Sequence, residues 1–451
     1  MQVLDDRRKA LPDAASVHAT LRRHLLTDGY GLVLDLDHSQ GARLRDGVTG
    51  KDYLDLFTFF ASNPLGVNHP KLAGPGEAAE AFRARLMDVA INKVANSDVY
   101  TPHMARFVDT FDRVGIPAEL PHAFFVDGGT LAIENALKVA FDWKVRKNWK
   151  KGYSGERGQQ VLHFEQAFHG RSGYTLSLTN TDPAKTDLFP KFDWPRIPNP
   201  KVNGPEDALD VEEREELALN MARTAFHTNK DDIAAIIIEP IQSEGGDNHF
   251  RPQFLQALRD LADENDALLI FDEVQTGVGL TGSFWFYQQI GVTPDIVAFG
   301  KKTQVCGILA GRRVEEVEDN VFVKSSRINS TWGGNLVDMV RFDRILEVIE
   351  EDGLVARAAE TGAHLQSLLA GMGERREAVT NPRGKGLLCA FDLPDTATRN
   401  AVVNRVYEEG AVILGCGTRS IRFRPALCIT EAELDEGVAL VERAVQAVTE
   451  G

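Results

Sequence analysis

Ala267-Leu-Leu-Ile-Phe-Asp272-Glu-Val-Gln275-Thr-Gly277, followed downstream by Asp295-Ile-Val-Ala-Phe-Gly300-Lys301, decides the fold. Residues 267–271 are apolar without alternation, the pattern of a parallel strand covered on both faces, and Asp272 stands at its carboxyl end. Residues 296–299 repeat the pattern, and Lys301 leaves that strand through Gly300. Open α/β sheets bind ligands at the carboxyl ends of their strands, so two parallel strands would deliver an acid and a lysine to one crevice. Singly, each has an ordinary explanation as a helix cap or a solvated side chain. Together they fit few chemistries. A lysine in a pocket of low polarity can lose its proton and form a Schiff base, while a buried carboxylate needs a cation. Pyridoxal phosphate meets both needs, with an aldehyde for the lysine and a protonated ring nitrogen for the acid.

The chain of 451 residues is long enough for two or three domains, and 43% hydrophobic with 26% charged is ordinary for a folded enzyme. A net charge of -16 argues against general affinity for nucleic acid or anionic membranes, so anionic small molecules would need deliberately placed arginines. Cys306, Cys389, Cys416 and Cys428 have no CxxC spacing, so neither a disulfide framework nor a metal site is indicated. Arg7-Arg8 is not followed by the apolar segment of an export signal, and no run of about eighteen apolar residues occurs. The expectation is a cytoplasmic protein that neither spans nor anchors to a membrane.

Upstream, residues 32–36, 42–45 and 52–56 read as a small antiparallel meander broken by Gly41 and Gly47. Residues 57–70 mix aromatics with breakers and read as a structured loop, either core edge or site wall. A strand at 123–126 ends in Asp127-Gly128-Gly129-Thr130 and opens a helix, where free N–H groups and the positive dipole end suit a phosphate. A strand at 161–165 leads to Phe168-His169-Gly170-Arg171; an aromatic there could stack on a planar ring, and the arginine could bind a carboxylate. Between 181 and 232, Pro190, Pro195, Pro198, Pro200 and Pro205 break regular structure, and 211–226 reads as a charged helix, the whole forming an insertion at the sheet edge. The strand at 234–238 ends in Glu239-Pro-Ile-Gln-Ser-Glu244, which sends two more carboxylates toward the crevice. A helix stopped at Gly353 follows Asn329-Ser330-Thr331-Trp332, and the chain ends in alternating helices and strands closed by a Thr430/Glu433 capping box.

Asp272-Glu-Val-Gln275, Gly300-Lys301, Glu239 to Glu244, Phe168-His-Gly-Arg171, Ser330-Thr331-Trp-Gly-Gly-Asn335 and Arg422-Phe-Arg-Pro stand in the order and spacing of the class III pyridoxal phosphate aminotransferases, which the chain resembles over nearly its whole length. Phe189-Pro-Lys-Phe-Asp-Trp194 and the residues after Glu244 resemble the members that act on the ε-amino group of L-lysine. The fold this resemblance implies is α/β, of the type I aminotransferase class: a large domain with a mostly parallel sheet (residues 86–335) and a small α+β domain from both termini (residues 1–85 and 336–451). It implies a homodimer with shared active sites.

Residue by residue, the resemblance implies that Lys301, rather than its neighbour Lys302, carries the cofactor and shuttles the proton. Asp272 would pair with the ring nitrogen, Gln275 would reach the ring hydroxyl, and Phe168 would stack on the ring. Gly129 and Thr130 would hold the phosphate, helped by Ser330 and Thr331 from the partner subunit. Gly128 and Leu131 depart from the family, in which Ser or Thr and Glu are common. For substrates, L-lysine and 2-oxoglutarate are implied. Arg171 would bind the distal carboxylate of either, and Arg422 the carboxylate beside the keto group. Glu244 would pair with Arg422 while lysine is bound, since an unpaired cation in a closed pocket is costly; Asn329 would add a contact to the lysine α-carboxylate. Alternatives are another ω-aminotransferase, for ornithine or 4-aminobutyrate, differing at the loops 57–67 and around Trp194, an aminomutase on the same fold, or a cofactor-binding protein that no longer transaminates.

Overall fold

The computed structural model describes residues 11–204 and 207–451, so Arg7, Arg8 and Pro205 lie outside the described residues. A seven-stranded sheet organises the chain, in the order His122–Val126, Cys306–Ala310, Ile296–Phe299, Leu268–Asp272, Ile233–Ile238, Gln160–Phe164, Arg196–Ile197. Only Cys306–Ala310 is antiparallel to its neighbours; the sheet is otherwise parallel. Every residue of Ile233–Ile238 and of Leu268–Asp272 is buried, which is why their sequences do not alternate. Ile237, Leu268 and Ile270 face one apolar cluster with Ile133, Ala136 and Ala140 of the helix Gly129–Lys150. Ile236, Leu269 and Phe271 face the other, with Phe254 and Leu258 of the helix Pro252–Glu264. Each such side chain contributes about 1.5–3 kcal/mol on burial, so the two-faced pattern fixes the register.

That register positions the chemistry. Asp272 pairs with Ala298 in the parallel ladder, so Asp272 and Lys301, three residues past Ala298, emerge at the same end of the sheet.

Two smaller sheets flank this one. The expected meander forms as Leu34–Gln40, Arg43–Asp46 and Asp52–Asp55, and Ala411–Val412 from the far end of the chain pairs parallel to its third strand. A four-stranded antiparallel sheet combines Thr380–Lys385, Leu388–Asp392, Ser420–Phe423 and Leu414–Cys416. The capping box starts the helix Glu431–Thr449.

The proline-rich region differs from the expectation that it holds no regular element before its helix. It contains the short helix Pro183–Thr186 and the edge strand Arg196–Ile197, two residues long because Pro195 and Pro198 confine it and tolerate only an edge position. The helix that follows is Ala208–Thr228. No described helix is long and apolar enough to cross a membrane.

Candidate active site

A pocket of about 800 Å³ opens at the carboxyl end of the large sheet, and Lys301, Asp272, Gln275, Phe168, Gly129, Thr130, Arg171, Glu244 and Arg422 all line it. Lys301 begins a short 3-10 turn with φ of 56°, a left-handed conformation that costs a non-glycine residue energy and aims its side chain into the pocket. Burial, reinforced by the Arg422 charge, brings its amine down to about 8, with Asp272, Glu239 and Glu244 opposing. Lys302 turns the other way, fully buried, with Nζ donating to the Gln275 carbonyl at 2.7 Å. Of the two lysines, Lys301 is the one that lines the pocket.

Asp272 is held from two sides: Oδ1 accepts from the Val274 amide at 3.1 Å and Oδ2 lies 2.8 Å from His169 Nδ1. His169 stood inside a motif without a role in the sequence reading; here it orients the acid. Glu239 sits behind, accepting from the Phe168 and Ser243 amides at 2.8 and 3.2 Å, its carboxyl raised well above the usual range by burial and by Asp272. The helix Gly129–Lys150 points its first N–H groups, which have no intrahelical acceptor, toward the same space. Gly128 before it has φ of 99°, a backbone conformation that glycine adopts freely.

The far wall comes from the flanking sheets. Arg422 on Ser420–Phe423 is 2% exposed; its Nη2 donates to Glu244 Oε2 at 3.2 Å, while Nε and Nη1 are buried without a partner. Glu244 lies in the turn between the two-residue strands Ile241–Gln242 and Asn248–His249, and its Oε1 accepts from Lys185 Nζ at 2.5 Å. Burial would raise the Glu244 carboxyl, but Arg422 and Lys185 outweigh it and hold it below its ordinary value. Phe59, Phe60 and Ser62 complete the pocket. Residues 58–61 all have φ between 41° and 62°, a left-handed turn fixed by Asp55 Oδ1, which accepts from the Phe57 and Thr58 amides at 3.0 and 2.7 Å. The loop 57–70 thus takes both roles open to it from sequence, with Phe59, Phe60 and Ser62 walling the site and Phe57, Leu65 and Val67 packed in the core.

A family model, Aminotransferase class-III, matches residues 27–445. The L-lysine-epsilon aminotransferase of Mycobacterium tuberculosis strain H37Rv is 56% identical over 444 residues, covering 98% of this chain and 97% of the relative. The chain belongs to the class III aminotransferase family. The enzyme of the same description from Streptomyces clavuligerus is 53% identical over 441 residues, 97% of this chain and 95% of the relative. Among solved structures, lysine aminotransferase from M. tuberculosis in the internal aldimine form superposes with a TM-score of 0.95 at 55% identity, covering 97% of this chain and all of that one.

Class III aminotransferases use pyridoxal phosphate, and the pocket fits it on three counts. Unpaired helix amides can take the phosphate, the anchored Asp272 carboxylate can face a protonated ring nitrogen, and the Gln275 Oε1, buried without a partner, can accept from a ring hydroxyl.

Within one chain of this aminotransferase, Ser330, Thr331 and Asn329 do not line the pocket. They lie on a loop that packs against residues 93–97 through Ser97 Oγ donating to the Thr331 carbonyl at 3.2 Å and the Asn96 amide donating to the Trp332 carbonyl at 3.1 Å. Trp194 departs from the sequence expectation. It stacks on Phe192 at 5.0 Å and neighbours Tyr174 and Phe141 beside a separate depression of about 950 Å³, and it does not line the Lys301 pocket. The insertion reaches the site through Lys185 instead.

Proposed function

We propose that the chain is an L-lysine 6-aminotransferase that moves the ε-amino group of L-lysine to 2-oxoglutarate, giving 2-aminoadipate 6-semialdehyde and glutamate. The observation that carries this reading is the pair Arg422–Glu244 facing Arg171 across one pocket. Lysine has a carboxylate far from its reacting carbon and none beside it; 2-oxoglutarate has both. Arg171, exposed at the mouth, takes the distal carboxylate of either substrate. Arg422 takes the second carboxylate of the keto acid, and Glu244 neutralises it when lysine is present.

Bound pyridoxal phosphate supplies an electron sink for the carbon that carries the amine. Lys301 Nζ, with its proton loosened by burial, removes the proton from the lysine ε-carbon and later delivers one to the keto-acid carbon. Asp272, oriented by His169, would face the ring nitrogen of the bound cofactor. Phe168 supplies the stacking surface.

The sites are shared within a homodimer. Exposed apolar side chains support this reading: Ile91 and Tyr100 are 73% and 79% exposed, and Trp332 and Leu131 are also uncovered, around the loop that bears Ser330 and Thr331. A partner that covers this patch brings those hydroxyls to the opposite phosphate site and Asn329 to the substrate. The division into a small domain of residues 1–85 with 336–451 and a large domain of 86–335 is supported, among the described residues, by Ala411–Val412 completing the N-terminal meander. Four unpaired thiols accord with a reducing cytoplasm.

The test is Glu244→Ala, with the two half reactions followed separately. Reduction of the cofactor spectrum by lysine slows more than its recovery with 2-oxoglutarate; equal losses in both halves refute the role given to Glu244.

A further inference from the structure

We infer that Lys185 is a positioning residue: it is the site to which Glu244 is released when the keto acid claims Arg422. This inference rests on the two-substrate reading of the pocket and names the device that makes its exchange feasible.

Glu244 is bridged in the structure, with Oε2 on Arg422 at 3.2 Å and Oε1 on Lys185 at 2.5 Å. When a substrate carboxylate takes Arg422, a glutamate with no other cation becomes an unpaired charge in a mostly buried site, beside a dianion that repels it. Lys185 removes that penalty, because one oxygen stays bound while the other swings away. Every carboxylate then has a cation in both states. With keto acid bound, its two carboxylates meet Arg171 and Arg422, and Glu244 meets Lys185. With lysine bound, its single carboxylate meets Arg171, and Glu244 spans Arg422 and Lys185.

The backbone holds Lys185 in place for this. It sits in the four-residue helix Pro183–Thr186, opened by proline and capped by Asp182, whose Oδ1 accepts from the Ala184 amide at 3.0 Å. Its ammonium lies 5.8 Å from the Phe168 ring centroid, so it is supported from the aromatic wall as well as by Glu244. The residue belongs to the insertion, 59 positions away from Glu244 in the chain.

The experiment uses the holoenzyme and stopped-flow absorbance, with L-lysine added to the pyridoxal form and 2-oxoglutarate to the pyridoxamine form, for wild type, Lys185→Met, Lys185→Arg, Glu244→Ala and Glu244→Ala/Lys185→Met. A parallel titration follows binding of glutarate, a dicarboxylate that cannot react. In Lys185→Met the concentrations of 2-oxoglutarate and glutarate needed for half saturation rise about fivefold, the worth of one modest ion pair, while the lysine half stays within about twofold of wild type. Lys185→Arg restores both, and the effect disappears in the Glu244→Ala background. Equal loss in both halves, no change in either, or a keto-acid defect that persists without Glu244 overturns the inference. A wild-type enzyme that ignores lysine but responds to another amine overturns the substrate reading instead, and its keto-acid half still tests Lys185.

Discussion

Lys301 and Lys302 are adjacent and chemically identical, yet Lys302 is fully buried away from the pocket and only the half-buried Lys301 lines it. Burial disfavours the ammonium form, so the Lys301 proton leaves at about 8 rather than at the value of free lysine, and the free amine grows as pH rises through that point. Uptake of pyridoxal phosphate by the apoprotein is therefore expected to accelerate with pH through about 8 and to vanish in Lys301→Ala; a rate flat from about pH 7 to 9 contradicts this. Turnover in Lys301→Ala falls by about a thousandfold or more, as loss of the proton carrier requires. Lys302→Met keeps the cofactor band, because its amine is committed to the Gln275 carbonyl.

At the scale of elements, two short connections hold the substrate wall. The turn carrying Glu244 is fastened by Asp247, fully buried against Arg424, with Oδ2 accepting from Nη1 at 3.0 Å and Oδ1 from Nη2 at 2.5 Å. Asp247→Ala strands the arginine charge and is expected to lower stability by about 3–5 kcal/mol in urea unfolding; an unchanged midpoint rules out this anchoring. The left-handed turn at 58–61 depends on Asp55, whose carboxyl is raised to about 6, first by burial. The folded state binds the extra proton, so its contribution is present below about pH 4 and fades as pH rises through about 6. Wild type should therefore lose stability relative to Asp55→Asn across that window; a constant difference between the two argues against the titration.

These elements also show what sequence could reveal. Leu268–Asp272 and Ile296–Phe299 were legible because burial on both faces leaves an unbroken apolar run, and Asp272, Gln275 and Lys301 were legible as pocket residues because they stand at or just past the strand ends. Lys185 was not legible as a site residue, and the Phe59–Phe60 wall only as one of two readings, since an irregular insertion and a left-handed turn have no periodicity to read. Trp194 misled for the same reason: a distinctive motif carries no direction, and its ring packs on Phe192 away from the pocket.

For the whole molecule, the proposed sharing of sites makes a distinct prediction. Lys301→Ala and the double variant Ser330→Ala/Thr331→Ala damage different halves of a shared site. Dimers re-formed from an equal mixture contain one undamaged site per heterodimer and recover about a quarter of wild-type activity. Recovery no greater than the sum of the two variants means that each chain builds its site alone. The reaction itself is tested most directly by absorbance in a single turnover: the pyridoxal enzyme is mixed with L-lysine, ornithine or 4-aminobutyrate in the absence of keto acid, and 2-oxoglutarate is then added. The account predicts that the cofactor band is lost chiefly with L-lysine and returns with 2-oxoglutarate; a band that persists with lysine and bleaches with ornithine or 4-aminobutyrate contradicts it.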